Sequence, residues 1–185
     1  MRQFLLVFLA ILLFAPAGVF AQGNVGVGEF IPHALELSDQ NGQEQNLETL
    51  YGEKGTTLVF VRSVDWCPFC QRQLIDLSQR ADEFAATGYP LVALSYDSIE
   101  KSSAFTEKQA IKFPILSDPE SETIKAFGLL DEQYQPDSFA HGVPKPVVFA
   151  IGKDKIVKAK FFNEGYKDRP QIDEILEGIK KIGQF

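Results

Sequence analysis

Cys67 and Cys70 are the only cysteines in the chain and stand three residues apart. A C-x-x-C pair has three uses: a structural staple, half of a metal site, or a dithiol that cycles with its disulfide. As a staple it would do little, because so short a loop constrains the unfolded chain by about 2 kcal/mol, against about 3 for a 15-residue loop. As a zinc site it lacks a second Cys/His pair, since His33 and His141 lie far apart in sequence. No metal or cofactor is therefore expected. Redox exchange is the use that fits. The alternative is a non-catalytic, metallochaperone-like module that binds copper through both thiolates and a histidine.

The flanking residues say how the pair is placed. Residues 58–61 are an apolar run of strand length. Beyond them the pattern turns helical, with Cys70, Leu74, Leu77, Ala81 and Phe84 recurring at steps of four and three along one face. Pro68 suits the first helical turn, where its missing N–H costs nothing and its φ is already helical. Cys67 then falls at the helix N-terminus, where unpaired N–H donors and the positive end of the macrodipole favour a thiolate. The expectation is an exposed, attacking Cys67 and a shielded Cys70.

Residues 1–21 read as an address. Arg2 precedes an unbroken apolar stretch at 4–14, too short to span a bilayer, which needs about 20 residues. Pro16 and Gly18 break it, and Val19-Phe20-Ala21 forms a cleavage site before Gln22. The expected division is a signal peptide at 1–21 and one domain at 22–185, periplasmic or secreted. Membrane contact would come only from a signal left uncleaved as an anchor. An oxidising compartment lets disulfides persist. The chain carries 18 basic and 25 acidic residues, and cleavage removes one cation, Arg2. So acidic a chain has no basic patch for nucleic acid.

Upstream of the cysteines, Leu35 and Leu37 alternate with polar residues and Asn41-Gly42 supplies a two-residue turn, which predicts an N-terminal hairpin. Downstream, Gly88-Tyr89-Pro90 ends the helix, and residues 91–94 read as a second buried strand. Asp97 with Glu100 reads as a capping box opening a helix to about Lys112. Residues 113–116 are extended, and Asp118-Pro119 caps a helix that stops at Gly128. Residues 129–143 carry no pattern, and loops of that length are often functional. A strand at 146–151 then turns into another at 156–162, where Lys158 and Lys160 guard an edge. A helix from near Pro170 presents Ile172, Ile175, Leu176, Ile179 and Ile182 on one face. Strands alternating with helices, then a closing hairpin and helix, make an α/β fold.

Trp66-Cys67-x-x-Cys70 after a buried strand, with Pro146 opening a later strand ahead of Phe149, resembles the thioredoxin-like fold. The wider pattern is similar to the alkyl hydroperoxide reductase/thiol-specific antioxidant group, the peroxiredoxin-like redoxins. It includes Arg62-Ser63-Val64-Asp65 before Trp66, the stretches at 92–97 and 113–119, and Gly142-Val143-Pro144-Lys145-Pro146, and it spans about 25–182. The resemblance implies a central mixed sheet flanked by helices, with an N-terminal β-hairpin and an inserted strand–helix segment. It also implies a thiol-dependent antioxidant oxidoreductase in which Cys67 attacks a disulfide or hydroperoxide and Cys70 resolves the product. Trp66 would flank Cys67, Pro146 would be cis against the cysteines, and Lys145 would face them as a cation. Arg62 would favour a nearby thiolate and Asp65 would oppose it.

The chain also departs from the family pattern. Peroxiredoxins place a proline seven residues, and a Thr or Ser three residues, before the peroxide-attacking cysteine. Counting back gives Phe60 and Val64 from Cys67, and Ser63 and Cys67 from Cys70. The buried acid that thioredoxins carry six residues before the first cysteine is here Val61. The expected partners are accordingly a thiol or disulfide protein, or a small hydroperoxide.

Overall fold

The computed structural model describes residues 25–183; the expected signal segment lies outside them. The chain begins with an antiparallel hairpin, β1 (Leu37–Ser38) and β2 (Glu44–Gln45). Asn41-Gly42 lies in its turn, but the turn is longer than two residues, because Asp39 Oδ1 accepts from the N–H groups of Asn41 and Gln43. A short helix, α1 (Leu47–Leu50), leads into β3 (Gly55–Phe60). Helices α2 (Pro68–Gln79) and α3 (Ala81–Ala86), strand β4 (Leu91–Ser95) and helix α4 (Ile99–Gln109) follow. After them come β5 (Ile115–Ser117), α5 (Glu122–Ala126), β6 (Val147–Gly152), β7 (Val157–Phe161) and α6 (Ile172–Lys180).

Five strands form one mixed sheet in the order β5-β4-β3-β6-β7. β3 is central, parallel to β4 and antiparallel to β6, and each of its residues is buried. A strand sends successive side chains to opposite faces, and β3 does so here. Val59 and Val61 enter one core with Cys67, Cys70, Leu74, Phe84, Ile175 and Ile179, while Leu58 and Phe60 enter the other with Leu35, Leu47, Ile124 and Phe149. The sheet is thus covered on both faces, as the thioredoxin-like expectation requires. β7 is an edge strand, and its Lys160 ammonium donates to the Val25 carbonyl.

Four local expectations are corrected. The helix after the cysteines is broken at Arg80 (φ −112°, ψ 15°), whose guanidinium is directed to Glu83 and to Asp173 of α6. Asp97 does not cap α4; Ser98 occupies the cap, and the Asp97 carboxylate is turned into the protein interior. Pro146 is not cis, since every described peptide bond is trans. The segment before β6 is already held extended, with Pro144 bridging Leu130 and the Lys145 N–H donating to the Leu129 carbonyl at 2.7 Å. Extended geometry is what a residue preceding proline prefers. The helix expected to open at Asp118-Pro119 starts later, at Glu122 with Ser121 as its N-cap, although Asp118 accepts from the N–H groups of Glu122 and Ile124 in its first turn.

Candidate active site

The sheet's central strand ends beside the start of α2, and the cysteines lie at that junction. Cys67 is the N-cap of α2, Pro68 is its first residue, and the Cys70 N–H points at Cys67 Sγ at 3.3 Å. A disulfide joins Cys67 and Cys70, with their Cα atoms 5.3 Å apart. The placement is the one read from the sequence; the exposure is not. Cys67 is 1% exposed and Cys70 fully buried, so the attacking sulfur expected at the surface is covered in the oxidised state. The two still differ in place, because Cys67 is the N-cap of α2 whereas Cys70 lies inside its first turn.

Two neighbouring guanidinium groups belong to the site, Arg169 in contact with Cys70 and Arg62 beside Arg169 and over Trp66. Arg62, just past β3, is 1% exposed, unusual for a charged side chain. Its Nη2 donates to the Tyr134 hydroxyl at 2.7 Å, and its Nη1 lies 3.4 Å from Asp131 Oδ2. Its charge also faces the rings of Tyr166, Tyr134 and Trp66, at 4.3, 4.9 and 5.7 Å from their centroids. Arg169, in the segment between β7 and α6, donates from Nη2 to Cys70 Sγ at 3.3 Å. Burial and the neighbouring Arg62 bring its pKa down to about 10, which leaves it charged at neutral pH. Arg62 Nε and Arg169 Nε and Nη1 are buried without a hydrogen-bond partner.

The residues between β3 and α2 are fixed by Asp97. Its carboxylate accepts from the Val64 N–H at 2.7 Å and from the hydroxyls of Ser63 and Ser95 at 2.9 and 2.7 Å. The Ser63 hydroxyl in turn accepts from the N–H groups of Asp65 and Trp66. Burial raises the Asp97 pKa above the ordinary carboxylate range, although these three bonds oppose the rise. Trp66 is thereby held with its Nε1 donating to the Tyr96 hydroxyl at 2.9 Å and its ring against Phe139 at 5.1 Å.

The other expected neighbours divide. Trp66 packs against the core cluster that holds both cysteines, and the Arg62 guanidinium faces its ring. Asp65 turns outward to Lys101 at 2.8 Å, so its charge is met by a cation. Lys145 is exposed and lines a pocket with Asp131, Pro146 and Tyr166; the cation in hydrogen-bond reach of a cysteine sulfur is Arg169 instead. His141 is exposed, with Nδ1 3.1 Å from the Tyr134 carbonyl. Among the described residues no group of three His, Cys, Asp or Glu side chains clusters as a metal would need. The patternless stretch 129–143 supplies Asp131, Tyr134 and Phe139 to the site. Arg169, Tyr166 and Asp97 were not legible as site residues, because nothing in local spacing ties them to the cysteines.

The Ser63 hydroxyl has no spare capacity: its proton goes to Asp97 and both lone pairs are taken. Asp97→Asn would turn an amide donor toward a group that needs an acceptor. The variant should lose about 1–3 kcal/mol of stability in urea denaturation, the cost of leaving a buried donor unmet. It should also quench or shift Trp66 fluorescence in the folded state. An unchanged midpoint and spectrum would show that the loop is held by other means.

The profile of the AhpC/TSA family matches residues 27–160. A putative peroxiredoxin of Mycobacterium tuberculosis is 30% identical over 129 residues, covering 69% of this chain and 80% of the relative. Peroxiredoxin Bcp of Escherichia coli is 27% identical over 154 residues, 83% of this chain and 95% of its own. Among solved structures, peroxidoxin BcpB of Mycobacterium tuberculosis superposes with a TM-score of 0.72 at 24% identity, over 85% of this chain and 98% of that one. A PrxQ mutant of Xylella fastidiosa superposes at 0.70 with 18% identity, over 85% and 97%. With a thiol pair at the end of the central strand and the match running through it, the chain belongs to the AhpC/TSA family and is a peroxiredoxin-like, thiol-dependent oxidoreductase.

Proposed function

We propose that this protein is an exported antioxidant enzyme that reduces hydroperoxides through a Cys67–Cys70 dithiol/disulfide cycle, with an external thiol as the electron source. The observation that carries the reading is the Cys67–Cys70 disulfide, with Cys67 as the N-cap of α2. In the dithiol form, the Cys67 thiolate attacks the outer oxygen of the hydroperoxide. The O–O bond breaks, the alkoxide takes up a proton to leave as the alcohol, and Cys67 becomes a sulfenic acid. The Cys70 thiolate then attacks Cys67 Sγ and displaces hydroxide, which leaves as water, forming the disulfide. Two external thiols restore the pair.

A second reading, exchange with protein disulfides, is favoured by one observation. The family's Thr/Ser and Pro positions before Cys67 hold Val64 and Phe60, both fully buried and unable to donate to a peroxide. The same thiol pair would serve either substrate through Cys67.

The division of labour is tested with single-cysteine variants and one equivalent of hydroperoxide. Cys70→Ser should accumulate a sulfenic acid on Cys67, trapped by a dimedone-type probe, and stop after one turnover. Cys67→Ser should consume no peroxide. Sulfenic acid forming on Cys70 in the Cys67→Ser protein would reverse the assignment.

Export rests on Arg2, the apolar stretch at 4–14 and the Val19-Phe20-Ala21 site. N-terminal sequencing of the protein from an extracytoplasmic fraction should begin at Gln22. Protein that keeps Met1 and stays in the cytosolic fraction would contradict this part of the reading.

A further inference from the structure

Arg169 lies beyond residue 160, where the family match ends, and 99 residues from the sulfur it touches. Its side chain is partly buried, its Nη2 donates to Cys70 Sγ at 3.3 Å, and its Nε and Nη1 have no partner. The neighbouring cation, Arg62, already has Asp131 and the Tyr134 hydroxyl. In the oxidised state Arg169 therefore spends a charged donor on a neutral disulfide sulfur, a poor acceptor. A thiolate at the same position would convert that contact into a charge-assisted hydrogen bond, which is roughly twice as strong as a neutral one.

We infer that Arg169 is a catalytic residue of thiol exchange, holding Cys70 as the leaving thiolate so that the reducing thiol is directed onto Cys67. The step balances. The thiolate of a small thiol or dithiol reductant attacks Cys67 Sγ, a bond forms between them, and the Cys67–Cys70 bond breaks. Its electron pair goes to Cys70 Sγ beside the Arg169 guanidinium. A second reductant thiol then attacks the mixed disulfide and releases Cys67, so the reductant leaves as its own disulfide and the protein gains two electrons. A leaving sulfur of lower pKa departs faster. Both sulfurs lie in the core, but the guanidinium touches Cys70, which makes Cys70 the better leaving sulfur and Cys67 the one attacked. The same contact keeps Cys70 ionised for its attack on the Cys67 sulfenic acid. Both halves of the cycle then draw on one guanidinium.

The inference rests on the Cys67–Cys70 pair being the working pair, so its test includes a readout that needs no turnover. In the Cys67→Ser protein, the pH profile of Cys70 alkylation should have its midpoint raised by about one unit or more when Arg169→Met is added, the size expected for losing an adjacent opposite charge. In the otherwise unaltered chain, Arg169→Met should slow reduction of the disulfide by dithiothreitol about tenfold or more, followed by Trp66 fluorescence. It should also move the reduction potential about 30 mV more negative for each tenfold loss in the exchange constant. Arg169→Gln keeps an N–H donor without the charge; it should shift the same readouts in the same direction by less, and it replaces the Met variant if that protein does not fold. An unchanged Cys70 profile with an unchanged reduction rate overturns the role of Arg169, even where peroxide turnover is normal. A shifted profile, where the chain with both cysteines turns over no peroxide, upholds it and overturns the peroxidase reading instead.

Discussion

One buried carboxylate fixes the crossing from the central strand to the helix that carries the cysteines. Asp97 meets an N–H and two hydroxyls, and through Ser63 it reaches two more N–H groups, so every turn of the chain at 63–66 is held from behind. Burial makes this carboxylate costly, and the hydrogen bonds it accepts make it tolerable. Its consequence is positional. With residues 63–66 pinned, Cys67 becomes the cap of α2 and Trp66 meets Tyr96 and Phe139 of the 129–143 loop.

On that frame the electrostatics are asymmetric between the two sulfurs. Cys67 has the helix N-terminus, which favours a thiolate through backbone N–H groups and the macrodipole. Cys70 has a guanidinium. Arg62 adds a second buried charge, with Asp131 and three aromatic faces around it. A pair flanked by fixed positive charge and by few carboxylates is expected to prefer the reduced, anionic form. That makes its disulfide a ready oxidant of the external thiol that restores it. The chain's overall acidity does not bear on this, because the charge that matters most is the guanidinium in contact with Cys70 Sγ.

How much of this was legible in the sequence follows from the range of the forces involved. β3, α2 and the N-cap position of Cys67 were legible, because period-2 and period-3.6 burial and the Pro68 preference are local. The hairpin, the central sheet and α6 were legible for the same reason. Asp97 was misread as a helix cap: its spacing to Glu100 is a local signal, and a buried network spanning Ser63, Val64 and Ser95 outweighed it. Helix starts are usually in solvent, which is why the sequence points to an exposed Cys67, whereas the structure buries it in the core cluster with Cys70. Only the resemblance points to Lys145 as the cation at the sulfurs, and the structure places Arg169 in reach of Cys70 instead. A contact across 99 residues leaves no trace in spacing. The stretch at 129–143 was at least visible by its lack of pattern, and it supplies Asp131, Tyr134 and Phe139.

The central claim is that Cys67 and Cys70 act as one two-electron unit. Its most direct test is the intact mass and free-thiol count of the fully reduced protein after one equivalent of hydroperoxide. The account predicts a loss of two hydrogens, no added oxygen and no remaining thiol, with peptide mapping joining Cys67 to Cys70. A protein that gains oxygen on one cysteine while the other stays a free thiol would contradict it.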